Sequence, residues 1–101
     1  MIIRIVKMTF QSGKTNDFLD IFNQRKERIA ACNGCSYVSL QHDIENPAIF
    51  FTISKWNSEN DLENYRNSEL FKETWKLTKA LFEKPAEAWS VQPEFQSCVL
   101  F

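Results

Sequence analysis

Two segments of this chain alternate like β-strands and yet are apolar on both sides. In "IIRIVKMTF", residues 2–10, Ile3 and Ile5 fall on one face while Val6, Met8 and Phe10 fall on the other. In "IFFTISKW", residues 49–56, Ile49, Phe51 and Ile53 oppose Phe50 and Trp56. Successive side chains of a strand point to opposite faces, so a sheet with one wet face alternates cleanly between apolar and polar. A sheet apolar on both faces has to be covered twice. If helices cover one face, the simplest cover for the other is a second copy of the same sheet, and the pattern predicts a homodimer.

The intervening segments supply the helices. "QSGKTND" reads as a turn whose Asp, Thr or Asn caps a helix running to about Cys32. Phe18, Phe22 and Ile29 share a face of that helix, with Leu19 beside them, and Arg25 and Lys26 lay their stems across the stripe. A second strand is expected over about Ser36–Asp43. The tight turn "ENPA", with Pro47, then makes strands two and three an antiparallel hairpin. Ser58 opens a further helix with Asp61 three residues on, and Ser68 caps another over "ELFKETWKLTKALF". In it Phe71, Trp75, Thr78 and Phe82 recur at helical spacing beside a row of Leu70, Leu77 and Leu81, with Lys72, Glu73, Lys76, Lys79 and Glu83 outward. Pro85 is expected to stop this helix and "AEAWSVQ" to form the fourth strand. The order βαββαβ is the ferredoxin-like α+β arrangement, an antiparallel sheet with helices on one face. It occupies residues 1–93 as one domain, and residues 94–101 form a tail.

Charge and cysteine usage narrow the function. Twelve Lys and Arg against thirteen Asp and Glu leave a net charge of −1, which withholds the long-range attraction that nucleic-acid binders use. RNA-recognition modules of the same element order also need Gly-flanked aromatics, which "AIFFTISKW" lacks. No apolar run approaches a membrane span and no leader precedes the first strand, so the expected location is cytoplasmic. Cys32, Cys35 and Cys98 are too few and odd in number for a secreted disulfide framework. "CNGC" has redox spacing but falls where a helix ends, with Gly34 suited to the left-handed cap; a stabilised thiolate needs a helix start. No further ligands accompany the pair to make a metal site. The tail "EFQSCVLF" ends in a C-a-a-X pattern but lacks an upstream polybasic segment, and Phe95, Ser97, Val99 and Phe101 alternate along it. It is expected to be unmodified at Cys98 and to pair along a sheet edge of its own or the partner subunit.

A strand ending in Trp56, then "NSENDLENYRNSELFKETWK", then "KP" and a closing strand, resembles the antibiotic biosynthesis monooxygenase (ABM) domain of the dimeric α/β-barrel superfamily over about residues 1–93. The resemblance implies two ferredoxin-like sheets paired into a dimeric barrel, with a ligand pocket between each sheet and its own helices. It implies a monooxygenase that acts without cofactor or metal on a small phenol, hydroquinone or polyketide-like aromatic. A non-catalytic dimer that binds a small hydrophobic ligand is the alternative the same residues allow. The haem-cleaving branch expects Asn, Trp and His where this chain has Val6, Tyr65 and Trp75. With no imidazole at that last position, haem degradation is not expected. The polyketide-oxidising branch uses an Asn where Thr52 stands. In the family's geometry Val6, Thr52, Trp56, Tyr65, Phe71 and Trp75 converge on the pocket, either lining a chamber for a flat ring or filling it themselves. The candidates for catalysis are His42 and Tyr65. His42 is the only histidine, though it lies beside a turn where an idle imidazole is also expected. A water held by Tyr65 or Thr52 is the remaining source of a base.

Overall fold

The first strand, β1 (Ile2–Phe10), runs through the middle of a four-stranded antiparallel sheet in a computed structural model that describes residues 1–97. After it come α1 (Thr15–Asn23), α2 (Lys26–Ala30), β2 (Cys35–His42), β3 (Ile49–Trp56), α3 (Glu59–Arg66), α4 (Glu69–Lys79) and β4 (Phe82–Val91). The strands lie in the order β2-β3-β1-β4. This is the ferredoxin-like α+β fold, with each of the two crossover helices divided in two.

Local signals explain several boundaries. Ser58 accepts a hydrogen bond from the Asp61 amide at 3.1 Å, and Ser68 accepts one from the Phe71 amide at 3.2 Å, so each hydroxyl satisfies an amide that the first helical turn leaves open. The β2–β3 hairpin is held by the Asp43 carboxylate, which accepts from the amides of Glu45 and Asn46 at 3.1 and 2.8 Å. Gly34 has φ +82°, the left-handed region, and a Cβ there would run into the Asp61 side chain.

Four expectations are corrected. The first helix is not continuous to Cys32. It breaks at Arg25, whose backbone leaves the helix (φ −123°, ψ −14°) while its guanidinium bonds to the Ile21 carbonyl at 3.2 Å and to Glu73 of α4 at 2.9 Å. Nor do Asp, Thr or Asn cap α1; Lys14 stands at that position without a side-chain cap. Pro85 does not stop the last helix. That helix ends at Lys79, and Leu81 and Phe82 turn instead into β4, where Phe82 pairs with Phe10 and the Leu81 carbonyl accepts from the Gln11 amide at 3.0 Å. Pro85 sits inside this edge strand at a register shift against β1, where its missing N–H costs no ladder bond. Leu77, expected in the apolar row of α4, is exposed.

The core forms on the helix side of the sheet. Met8, Phe10 and Phe50 meet Phe18 there, and Ile2 and Trp56 meet Leu62. The other face carries Ile3, Ile5, Phe51 and Ile53, all only partly buried, continued by Trp89, which pairs with Ile5 and is 45% exposed. Beyond β4, residues 92–97 belong to no strand and Phe95 is exposed. Cys98 to Phe101, on which the expectation of an edge-pairing, unmodified tail chiefly falls, lie outside the described residues. No helix among the described residues is long and apolar enough to cross a membrane.

Candidate functional site

The sheet's inner positions make a floor. Arg4 of β1 lies opposite Ser54 of β3 and Ser90 of β4, and one step along Val6 lies opposite Thr52 and Ala88. Above it α1, α3 and α4 supply a roof of Phe18, Leu62, Tyr65, Phe71 and Trp75. Between them is a cavity of about 340 Å³, within the size range of small-molecule sites. Its openness has a simple cause. Ala86, Ala88, Ser54 and Thr52 are short side chains set beneath long aromatic ones, so floor and roof do not meet.

The aromatic walls are ordered against one another. Trp56 is fully buried, and its indole N–H donates to Ser54 Oγ at 2.9 Å, which fixes the ring. Tyr65 stacks on it with centroids 4.9 Å apart, Phe71 meets Tyr65 edge-on at 5.2 Å, and Trp75 stacks on Phe71 at 5.9 Å. Phe82 joins Trp75 at 5.5 Å and hands the series on to Phe10. Such offset and edge contacts hold rings more firmly than area burial alone.

Burial pushes the Tyr65 phenol well above its ordinary pKa, with the neighbouring thiols of Cys32 and Cys35 adding to the shift. Tyr65 is therefore a protonated hydrogen-bond donor at neutral pH and a poor base. Cys32 and Cys35 pack against the Ile2–Trp56–Leu62 cluster, and burial raises both thiols too, the opposite of what a reactive thiolate needs. His42 stands elsewhere. It is exposed at the end of β2, Nδ1 3.1 Å from the Asp43 carbonyl, and does not line the cavity.

Val6, Thr52, Trp56, Tyr65, Phe71 and Trp75 all lie on the cavity wall, whereas His42 does not. Arg4, Arg66, Ser54, Ala86 and Ala88 line it as well, and none of them belongs to the set that the family resemblance implies. Two signals point to three of these residues. Arg4 is the one charge in the inner stripe Ile2, Arg4, Val6, Met8, Phe10, and Ala86 and Ala88 put two minimal side chains on the inner face of β4. Among the described residues no cluster of three or more His, Cys, Asp or Glu is placed to hold a metal ion.

Comparison with known proteins follows this architecture. The model of the family described as antibiotic biosynthesis monooxygenase matches residues 1–77. A conserved protein from Methanosarcina mazei Go1 superposes with a TM-score of 0.87 at 24% identity, over 93% of this chain and 94% of that one. A protein described as an antibiotic biosynthesis monooxygenase superposes at 0.86 with 17% identity, over 92% and 98% of the two chains. A candidate antibiotic biosynthesis monooxygenase from Bordetella bronchiseptica gives 0.82 at 25% identity, over 93% and 97%. No curated relative matches the sequence.

Proposed function

The chain belongs to the antibiotic biosynthesis monooxygenase family, and from that premise we propose that it oxidises a small phenol, hydroquinone or polyketide-like aromatic with O₂ and no cofactor. The observation that carries this reading is the open cavity of about 340 Å³ walled by Trp56, Tyr65, Phe71 and Trp75. A flat ring slides between such walls, and the same walls keep water from a reactive intermediate. The chemistry balances without an outside reductant. A ring methylene beside a phenol loses its protons, the resulting anion reduces O₂, one oxygen atom becomes the new carbonyl and the other leaves as water. Tyr65, held as a phenol, donates a hydrogen bond to a substrate oxygen, and Thr52 supplies a second hydroxyl on the floor. The lining offers no imidazole to an iron, so haem cleavage is not proposed.

The working unit we propose is a homodimer, located in the cytoplasm and joined through the outer sheet face of Ile3, Ile5, Phe51 and Ile53. Light scattering is expected to give a dimer, and Ile53→Asp to split or unfold it, because the new carboxylate would be buried without a partner; a wild-type monomer would sink the idea.

Oxygen uptake across a panel of hydroquinones and anthrones tests the activity. Uptake with at least one of them, with the methylene of an anthrone recovered as a carbonyl and the rate lost in Trp75→Ala, is expected. Tight binding of these compounds with no uptake would favour the non-catalytic binding protein instead, which the same cavity also suits.

A further inference from the structure

The cavity is apolar or neutral along its whole wall except at one end, where two arginines meet it. Arg4 breaks the inner stripe of β1 and donates from Nη1 to Ser90 Oγ at 3.0 Å. Arg66 ends α3, one residue after Tyr65. Among the described residues that line the cavity these two are the only charged ones, and the carboxylate nearest them, Glu63, lies outside the lining against Arg66. A shallow depression lined by Glu59, Glu63, Arg66 and Ser90 adjoins on the outside, sharing Leu62 and Arg66 with the cavity, so this end is where the cavity meets solvent.

Neither arginine is fully accounted for by the fold. Arg66 gains something from the negative end of the α3 dipole, and Glu63 approaches it at 3.5 Å with both side chains about half exposed, an arrangement worth little. Arg4 is half-buried, and of its five N–H donors one meets a serine hydroxyl while others face water at the mouth. Burial, and after it the positive charge of Arg66, makes the Arg4 cation less comfortable than it would be in water, with Glu63 only partly opposing. Two like charges are thus held near each other at the mouth of a hydrophobic chamber, and an anion placed between them relieves both.

We infer that the cavity takes an aromatic carboxylate, its ring among Trp56, Tyr65, Phe71 and Trp75 and its carboxylate on Arg4 and Arg66. This rests on the functional reading above and sharpens it to hydroxylated aromatic acids. A carboxylate fits better than a lone phenolate oxygen because the planar guanidinium fork matches two acceptor oxygens at once. The positive end also favours ionisation of a hydroxyl on the bound ring, which supplies the electron-rich anion without a near-neutral base in the cavity.

The test uses two probes of one shape, 2-naphthoate and 2-naphthamide, with the intact protein and tryptophan fluorescence as the readout. The acid is expected to bind roughly tenfold or more tighter than the amide. That preference is expected to vanish in the Arg4→Gln, Arg66→Gln double variant and to persist, reduced, in Arg4→Lys, Arg66→Lys, which keeps the charge without the fork. Equal affinities in the wild type, binding of neither probe, or a preference that persists in the double glutamine variant overturns the inference. Neither probe can be oxidised as a phenol, so the result is independent of oxygen uptake. Uptake on neutral hydroquinones with no acid preference removes only this inference; acid preference with no uptake on any compound removes only the monooxygenase.

Discussion

The two ends of the layer between sheet and helices are built from the same kind of residue and come out differently. At one end Phe10 stacks on Phe18 at 4.4 Å and Phe50 meets Phe18 edge-on at 5.5 Å, and neither Phe10 nor Phe50 borders the cavity. At the other end Trp56, Tyr65, Phe71 and Trp75 interlock at similar separations, 4.9 to 5.9 Å, yet enclose a cavity. The rings are not what differs. The floor beneath the packed end is Phe10 and Phe50; beneath the open end it is Val6, Thr52, Ser54, Ala86 and Ala88, with Met8 at the boundary. An aromatic stripe on a helix therefore says little about whether space is filled. The side chains facing it across the sheet decide that.

This contrast can be broken most severely at the packed end. Phe10→Ala is expected to cost about 3–5 kcal/mol, since the fully buried ring leaves a hole its neighbours cannot close. Phe71→Ala, whose ring already borders empty volume, is expected to cost no more than about 2 kcal/mol. Urea denaturation compares the two, and equal losses would mean that the ends are not packed differently. Enlargement gives the reverse test. Ala88→Phe is expected to hold or raise the melting temperature while abolishing ligand binding and oxygen uptake, because the ring enters space that exists. Phe10→Trp at the packed end is expected to cost about 1–3 kcal/mol by overpacking. If Ala88→Phe destabilises as much, the cavity is not open in solution.

The smallest effect concerns Tyr65 and depends on pH. Its phenol is held above its ordinary pKa in the folded chain, whereas in the unfolded chain it titrates near the usual value of about 10. Below about pH 10 both states keep the proton and the group makes no pH-dependent difference. As pH rises above that, the unfolded state loses its proton first, so stability falls by up to about 1.4 kcal/mol per pH unit. Tyr65→Phe is expected to be nearly neutral at pH 7 and to remove that alkaline slope. A slope unchanged in the variant would show that Tyr65 is not the buried phenol described.

How much of this was legible beforehand depends on how far apart in the chain the deciding groups lie. Strands 2–10 and 49–56, the Ser58 and Ser68 caps and the β2–β3 turn were readable because alternation, capping and turn bonding act between residues a few positions apart. The six wall residues carried over from a family pattern also stand on the cavity, since shared backbone geometry brings them there. Other features needed the assembled fold. "KALFEKP" is locally able to continue a helix, but pairing of Phe82 with Phe10 recruited it into the sheet. Arg25 breaks a helix that its neighbours would continue while bonding Glu73, on a helix far along the chain. Arg4 finds Ser90 from the opposite end of the sequence, and the cavity exists because β1, β3 and β4 set short side chains side by side. The sequence by itself determined the order of strands and helical segments and the choice of fold, because those follow from short-range periodicity. Whether the space between sheet and helices is full or empty, and what charge stands at its mouth, are sums over distant residues that only the tertiary structure brings together.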